Sequence, residues 1–309
     1  MIPRTFRPQT GRGHTLIELV SVIAIMAIVV AMVAVFVRRP VEGYVDLSRR
    51  SMLVDSAESA LRRMARDVRI ALPNSVRVTN VATGYAMELL PNVDGARHAS
   101  GEASACENLT GFDPAAADAD FDILGTFPTI APGVYASHRL VINNRGAGTT
   151  HDVYADGVTP SPAPPLVITP VTTSITIALN PVGGCPANGK HHITLSAAHQ
   201  FRSQSPRDRL FILTTPVTYL CVVTVGATVG TLTRYSGYAI QAAQPTTAAT
   251  LNALPGVASA VVADRISACS ATTTTTNVQD RGIVTFSLAL AEQGEQITLI
   301  HQVQLDNSR

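Results

Sequence analysis

Charge is scarce in this chain and lysine almost absent. Asp, Glu, Lys and Arg make up 15% of its 309 residues, and of its 23 basic residues only Lys190 is a lysine. The formal net charge is +1 with His neutral, and no basic patch gathers beyond the N-terminal third. That excludes the concentrated cationic footprint of a nucleic-acid-binding surface. Catalytic motifs are missing too: there is no Gly-x-Ser-x-Gly and no ordered Ser/His/Asp set. Gly184-Cys185-Pro186-Ala187-Asn188-Gly189-Lys190-His191 approaches a phosphate-binding loop. His191 replaces the Ser/Thr that would hold magnesium, however, Cys185-Pro186 lies inside the loop, and neither a leading strand nor a following helix is expected. His191, His192 and His199 have no carboxylate or cysteine at ligand spacing and read as part of a polar loop. Asp118, Asp120 and Asp122 alternate in an acidic stretch with some calcium-binding character, but lack the glycine at the turn and the closing glutamate. No cofactor, metal or enzymatic site is implied.

Apolar residues are abundant, at 46%, and they are bunched. From Leu19 to Val37 every residue is apolar except Ser21, and extending back to Leu16 admits one charge, Glu18. A helix rises about 1.5 Å per residue, so roughly 20 such residues span a bilayer core. A stripe that is apolar all round is not what the surface helix of a soluble core needs. A secretory signal would carry a shorter apolar region followed by a small-residue cleavage site, whereas Arg38-Arg39-Pro40 follows here. Ahead of the stretch, Met1–Gly13 holds Arg4, Arg7 and Arg12, no acid, and Pro3 and Pro8, which reads as a disordered cationic leader.

The junction Gly13-His14-Thr15-Leu16-Ile17-Glu18-Leu19-Val20 resembles the class III signal of type IV prepilins. The resemblance implies cutting between Gly13 and His14 by a prepilin peptidase at the cytoplasmic membrane face. It also implies N-methylation of the new terminus, His14, and a docking role for Glu18. His14 departs from the family's usual phenylalanine. Glu18 makes physical sense in that setting, because a carboxylate within a membrane span normally has a partner and the freed amine of His14, on the same or a neighbouring subunit, supplies one. A helix N-terminus also favours an acid. Positive charges alone leave the topology open, since Arg38, Arg39, Arg49 and Arg50 crowd the far end of the span. The resemblance places the N-terminus in the cytoplasm and everything after Val37 in the periplasm.

Between Val41 and Leu72 the pattern turns amphipathic. Leu47, Val54, Leu61 and Val68 recur every seven residues with Ala57, Met64 and Ala71 between them. Arg49, Glu58, Arg62, Arg63, Arg66 and Arg69 occupy the other face, and Asp55, Glu58 and Asp67 offer them helix-spaced partners. Pro40 should kink the helix, Gly43 should loosen it, and Pro73-Asn74 should end it after about 55–60 residues. Beyond Pro73, strands are expected at 75–80, 85–90, 139–143, 173–178, 210–214, 217–223 and 231–240. Val284, Phe286, Leu288 and Leu290, a turn at Glu292-Gln293-Gly294-Glu295, and Ile297, Leu299, His301, Val303 and Leu305 predict a terminal hairpin. Stretches 115–119, 159–165 and 272–276 read as loops.

The expected fold class is α+β: a long N-terminal helix, half transmembrane and half amphipathic, packed on a mainly antiparallel sheet. The divisions are a leader at 1–13, a transmembrane or filament-core helix at 14–37, its amphipathic continuation at 38–72, and a periplasmic β-rich head at 73–309. Within the pilin-like superfamily the chain most resembles the O component, a minor pilin, of mannose-sensitive haemagglutinin (MSHA) type pili. The resemblance rests on residues 39–44, 60–67 (Ala-Leu-Arg-Arg-Met-Ala-Arg-Asp), 71–77, 216–221 (Pro-Val-Thr-Tyr-Leu-Cys), 232–238 (Leu-Thr-Arg-Tyr-Ser-Gly-Tyr) and 301–303. It implies a subunit that initiates or caps a pilus. The implied partners are prepilin peptidase, other pilins, an inner-membrane assembly platform and membrane lipid. The implied location is the bacterial inner membrane and then the pilus at the cell surface. The J-type minor pseudopilin of type II secretion and a tip adhesin are the alternatives. All four cysteines, Cys106, Cys185, Cys221 and Cys269, lie in the head, and an even count in a periplasmic domain suggests two disulfides. Cys221–Cys269 with Cys106–Cys185 is the expected pairing of the three possible, because Cys221 and Cys269 flank regular strands. A zinc site would show close cysteine pairs, which are absent.

Overall fold

The structure is a computed structural model that describes residues 13–98, 114–159, 165–179, 189–223, 229–274 and 282–305. Most of the expected leader, Cys106, Cys185 and most of the loop resembling a phosphate-binding motif lie outside them. The chain divides into two compact units, Met1–Met52 and Leu53–Arg309.

The first helix, α1, runs from Leu16 to Arg69 and continues through Pro40. In its first unit the described side chains from Leu16 to Phe36 are all exposed. In the second unit Leu53, Ala57, Ala60, Leu61, Met64, Ala65 and Val68 are buried. These recur at three- and four-residue steps, so they form one helical face. Leu47 is 68% exposed, which takes it out of the predicted apolar row. The helix stops at Arg69, short of the predicted Leu72, because β pairing captures the next residues. Leu72 N donates to Leu90 O at 2.8 Å and Asn92 N to Ile70 O at 2.8 Å.

Seven strands form the main sheet, in the order β1 (Arg77–Val81), β2 (Gly84–Leu89), β10 (Val217–Val222), β11 (Gly230–Ser236), β12 (Ala258–Thr274), β13 (Ile283–Glu292) and β14 (Glu295–Gln304). Two smaller sheets have the orders β3 (Asn92–Arg97), β9 (Arg209–Leu213), β6 (Arg139–Val141) and β4 (Asp118–Asp122), β8 (His191–His199), β7 (Ile175–Leu179), β5 (Gly133–Tyr135). Every strand pair in these sheets is antiparallel. Two short helices, α2 (Val153–Gly157) and α3 (Ala248–Asn252), complete the described elements.

Alternation along the strands decides which side chains meet. Tyr85, Met87 and Leu89 of β2, Val217, Tyr219 and Cys221 of β10, and Val284, Phe286, Leu288 and Leu290 of β13 share one apolar cluster with the buried residues of Leu53–Val68. On the opposite side of β2 and β10, Ala86 and Leu220 join Tyr235, Tyr238 and Leu251. A separate core fills the space between the two small sheets, around Phe121, Ile175, Ile193, Phe201 and Ile212.

The terminal hairpin forms as its alternation predicts. Gln293 and Gly294 both take positive φ (47° and 89°), the two-residue turn whose twist suits a tight hairpin. Other expectations need correction. The strand expected at 231–240 ends at Ser236, where Gly237 turns at φ 86° and an added Cβ would lie 2.6 Å from Gly256 O. Thr272–Thr274, expected in a loop, belong to the 17-residue strand β12. That strand pairs with β11 through its first half and with β13 through its second, and a bend with Arg265 at φ 57° lies between. Ala119 lies within β4, so the loop expected at 115–119 gives way to a strand.

Candidate functional site

The N-terminal segment places its polar groups sparingly. Gly13, His14 and Thr15 precede the helix, and Thr15 O accepts from Glu18 N at 3.1 Å and Leu19 N at 3.2 Å, forming the first turn. Glu18 stands exposed in that turn, where the aligned peptide dipoles favour a carboxylate. Ser21, the one hydroxyl in the run, donates Oγ–H to Ile17 O at 2.7 Å and so satisfies itself within the helix. Leu16–Phe36 is 21 residues long, with a mean hydropathy of 3.1 and none of its apolar window buried. One described helix is therefore long and apolar enough to cross a membrane.

In the second unit, two residues far from it in sequence converge at Asp67. Its Oδ2 accepts from Tyr219 Oη at 2.7 Å and Arg234 Nε at 2.9 Å. Asp67 therefore serves β10 and β11 rather than the arginines of its own helix. Among the exposed charges Glu58 pairs with Arg62 one turn on, and Arg49 with Asp46. The Tyr219 hydroxyl is held above its ordinary range by burial and by the neighbouring carboxylate.

A second polar group occupies the far side of the sheet. Glu88 is fully buried, bonded by Arg77 at 2.6 and 2.7 Å and by Tyr238 Oη at 3.0 Å. Thr218 shares a 2.6 Å hydrogen bond with the same tyrosine. Arg77 also donates to Ala242 O and Gln241 O and stacks 3.6 Å over the Tyr154 ring. Burial raises the Glu88 carboxyl from its ordinary value, and Arg77 works against that rise. With every partner in place the cluster joins β1, β2, β10 and the turn after β11 as one bonded unit.

The histidines prove structural in their contacts. His191 and His199 begin and end β8 instead of occupying a polar loop. His191 Nδ1 accepts from Phe127 N at 3.0 Å. The second, His192, has Nδ1 2.7 Å from Asp122 and Nε2 3.3 Å from Asp120, so the carboxylates missing at sequence spacing arrive across the β4–β8 pairing. Asp118 turns inward to its own backbone, accepting from Ala119 N and Asp120 N. The acidic stretch is thus the strand β4, and the described residues contain no group of three or more acidic, His or Cys side chains able to hold a metal. His199 lies beside the Phe201 ring, 4.5 Å between centroids, and burial pushes its imidazole down to about 4.

Cys221 on β10 and Cys269 on β12 form a disulfide. The bend in β12 makes this possible, since β11 lies between those strands at their start. Gly84 sits at the crossing with φ 151°, and an added Cβ would come within 2.2 Å of Cys221 O and 3.1 Å of Cys269 Sγ. The expected Cys106–Cys185 bond lies outside the described residues.

Two polar clusters, Asp67–Tyr219–Arg234 and Arg77–Glu88–Thr218–Tyr238, were not anticipated as units. Their members were in view, because all but Glu88 fall in segments 60–67, 71–77, 216–221 and 232–238. The available signal was Tyr219, Thr218 and Glu88, polar groups inside otherwise apolar strands, whereas Asp67 was masked by the arginines beside it on the helix. Compared with protein-family models, with curated proteins and with solved structures, the chain matches none.

Proposed function

We propose that this chain is a pilin-like structural subunit, most like the O-component minor pilin of MSHA-type pili, and not an enzyme. In this reading the Met1–Gly13 leader is removed by prepilin peptidase. The helix that begins at His14 then anchors the protein in the inner membrane, with the β-rich head in the periplasm. Other pilins and the assembly platform later draw that helix into a filament. The observation that carries the reading is the order Gly13, His14, Glu18 and then an exposed apolar helix to Phe36. Such a surface is stable only in lipid or against other apolar helices. Glu18 is costly in that environment and calls for a cation, which cleavage after Gly13 creates at the His14 amine. The amphipathic Leu53–Arg69, whose apolar face belongs to the head's own core, supports the same division of labour.

Intact mass and N-terminal sequencing of the mature protein test the proposal. The expected product starts at His14 and carries a methyl group on its amine. Gly13→Val should leave the leader attached and block incorporation into filaments. A mature protein that retains Met1, or a Gly13→Val chain that performs its role fully, overturns the reading.

A further inference from the structure

The two edges of the seven-stranded sheet are built differently. The edge strand β1 is five residues long, and Gln244 clasps it to β2, its Nε2 donating to Arg77 O at 3.3 Å and Ala86 O at 2.9 Å. At the other edge, β14 offers ten residues paired to β13 without a register shift. It contains no proline, lysine or arginine and no bulge, the devices that ordinarily protect a long edge. Leu305 N donates to Gly282 O at 2.7 Å, which fixes the phase of the ladder. Hydrogen bonding alternates along an antiparallel pair, so Ile297, Leu299, His301 and Val303 turn their main-chain groups toward β13. Gln296, Thr298, Ile300, Gln302 and Gln304 turn theirs outward, and among the described residues nothing receives them.

We infer that this edge docks β14 of a second copy of the chain, antiparallel, about a two-fold axis at Ile300. That register uses the strand completely. Ile300, 67% exposed, faces its own counterpart, Thr298 faces Gln302, and Gln296 faces Gln304. On the core side Ile297 meets Val303 and Leu299 meets His301, while on the outer side the facing pairs are apolar on apolar at Ile300 and neutral polar on neutral polar elsewhere. No carboxylate, lysine or arginine occurs from Gln296 to Leu305, and two copies therefore approach without like-charge repulsion. One strand pair buries less than the roughly 1,200–2,000 Å² typical of stable complexes, which makes the dimer weak and concentration-dependent. The inference does not depend on removal of the leader.

Position-specific crosslinking of the full chain in detergent micelles tests it. In the register proposed, the Ile300 Cα atoms lie about 5.5 Å apart, inside the range a disulfide or short bis-thiol reagent bridges. Ile300→Cys should give at least ten-fold more covalent homodimer than Val261→Cys, an exposed control on β12 of the same sheet. Adding Thr298→Lys and Gln302→Lys sets lysines opposite each other and should bring the yield to the control level. Combining Thr298→Lys with Gln302→Glu should restore it, an outcome a merely structural effect would not produce. Equal yields at 300 and 261, a yield indifferent to the lysine pair, or crosslinks only to a different protein would each overturn the proposal.

Discussion

Two parts of one helix solve the same problem in opposite ways. Leu16–Phe36 is apolar on every side and buries nothing within the chain, whereas Leu53–Arg69 is apolar on one side and buries that side among its own strands. The first stretch has no polar face to give to water. The second has its partner encoded in Tyr85, Met87, Tyr219, Phe286 and Leu288. The comparison teaches that helix formation is common to both, while the covering surface separates a helix long and apolar enough to cross a membrane from one that belongs to the sheet's core.

The sharpest way to break this comparison is to place one charge in each part. Met64→Asp buries an unpaired carboxylate in the head core and should cost more than about 4 kcal/mol, enough to abolish cooperative unfolding in urea. Val29→Asp should leave the head's unfolding midpoint unchanged. It should instead weaken membrane retention by about 2.5–3.5 kcal/mol, read by flotation with vesicles. If Val29→Asp destabilises the head, the two parts are not independent.

Next in size is the disulfide. Replacing Cys221 and Cys269 with serine opens a link across 48 residues, for which chain-entropy arguments predict a loss of about 4 kcal/mol. Urea unfolding of the full chain should show it, and flotation should not change.

His199 gives a pH-dependent loss confined to the head. Its imidazole is held at about 4 in the fold, against an ordinary 6.5, so the folded state binds fewer protons between those values. Its contribution is full above about pH 6.5 and is lost as pH falls through 4, up to about 3 kcal/mol. His199→Gln should flatten that part of the stability–pH curve measured by urea unfolding.

The smallest expected effect refines the boundary itself. Asp67→Asn weakens the bonds to Tyr219 and Arg234 and should cost about 2 kcal/mol. Glu58→Gln, which removes only an exposed pair with Arg62, should cost less than about 0.5 kcal/mol by the same measurement.

Local pattern made some elements readable. The uninterrupted apolar run, the amphipathic repeat after it, the terminal hairpin and most strands of the main sheet all carry a period that requires no distant partner. The misreadings share a cause. His191–His199 looked like a polar loop and Asp118–Asp122 like an acidic stretch with calcium-binding character because their polar residues had no partners at sequence spacing, yet the two segments pair as strands and bring His192 to Asp120 and Asp122. Ala258–Thr274 was obscured because one strand bends and changes neighbours midway, which its threonine-rich end does not advertise.

By itself the sequence determined that Leu16–Phe36 is a helix needing an apolar environment, and that Gly13, His14 and Glu18 stand at its entrance. Covalent order and hydropathy suffice for that, because no other part of the chain is involved. Only the tertiary structure decided the partners. It gave Asp67 to Tyr219 and Arg234 rather than to a helix arginine and closed Glu88 in with Arg77 and Tyr238, while the Cys221–Cys269 bond formed as the sequence led one to expect. A buried polar group must be satisfied, but which residue satisfies it depends on strand order and register, and these are set by the packing of the whole head.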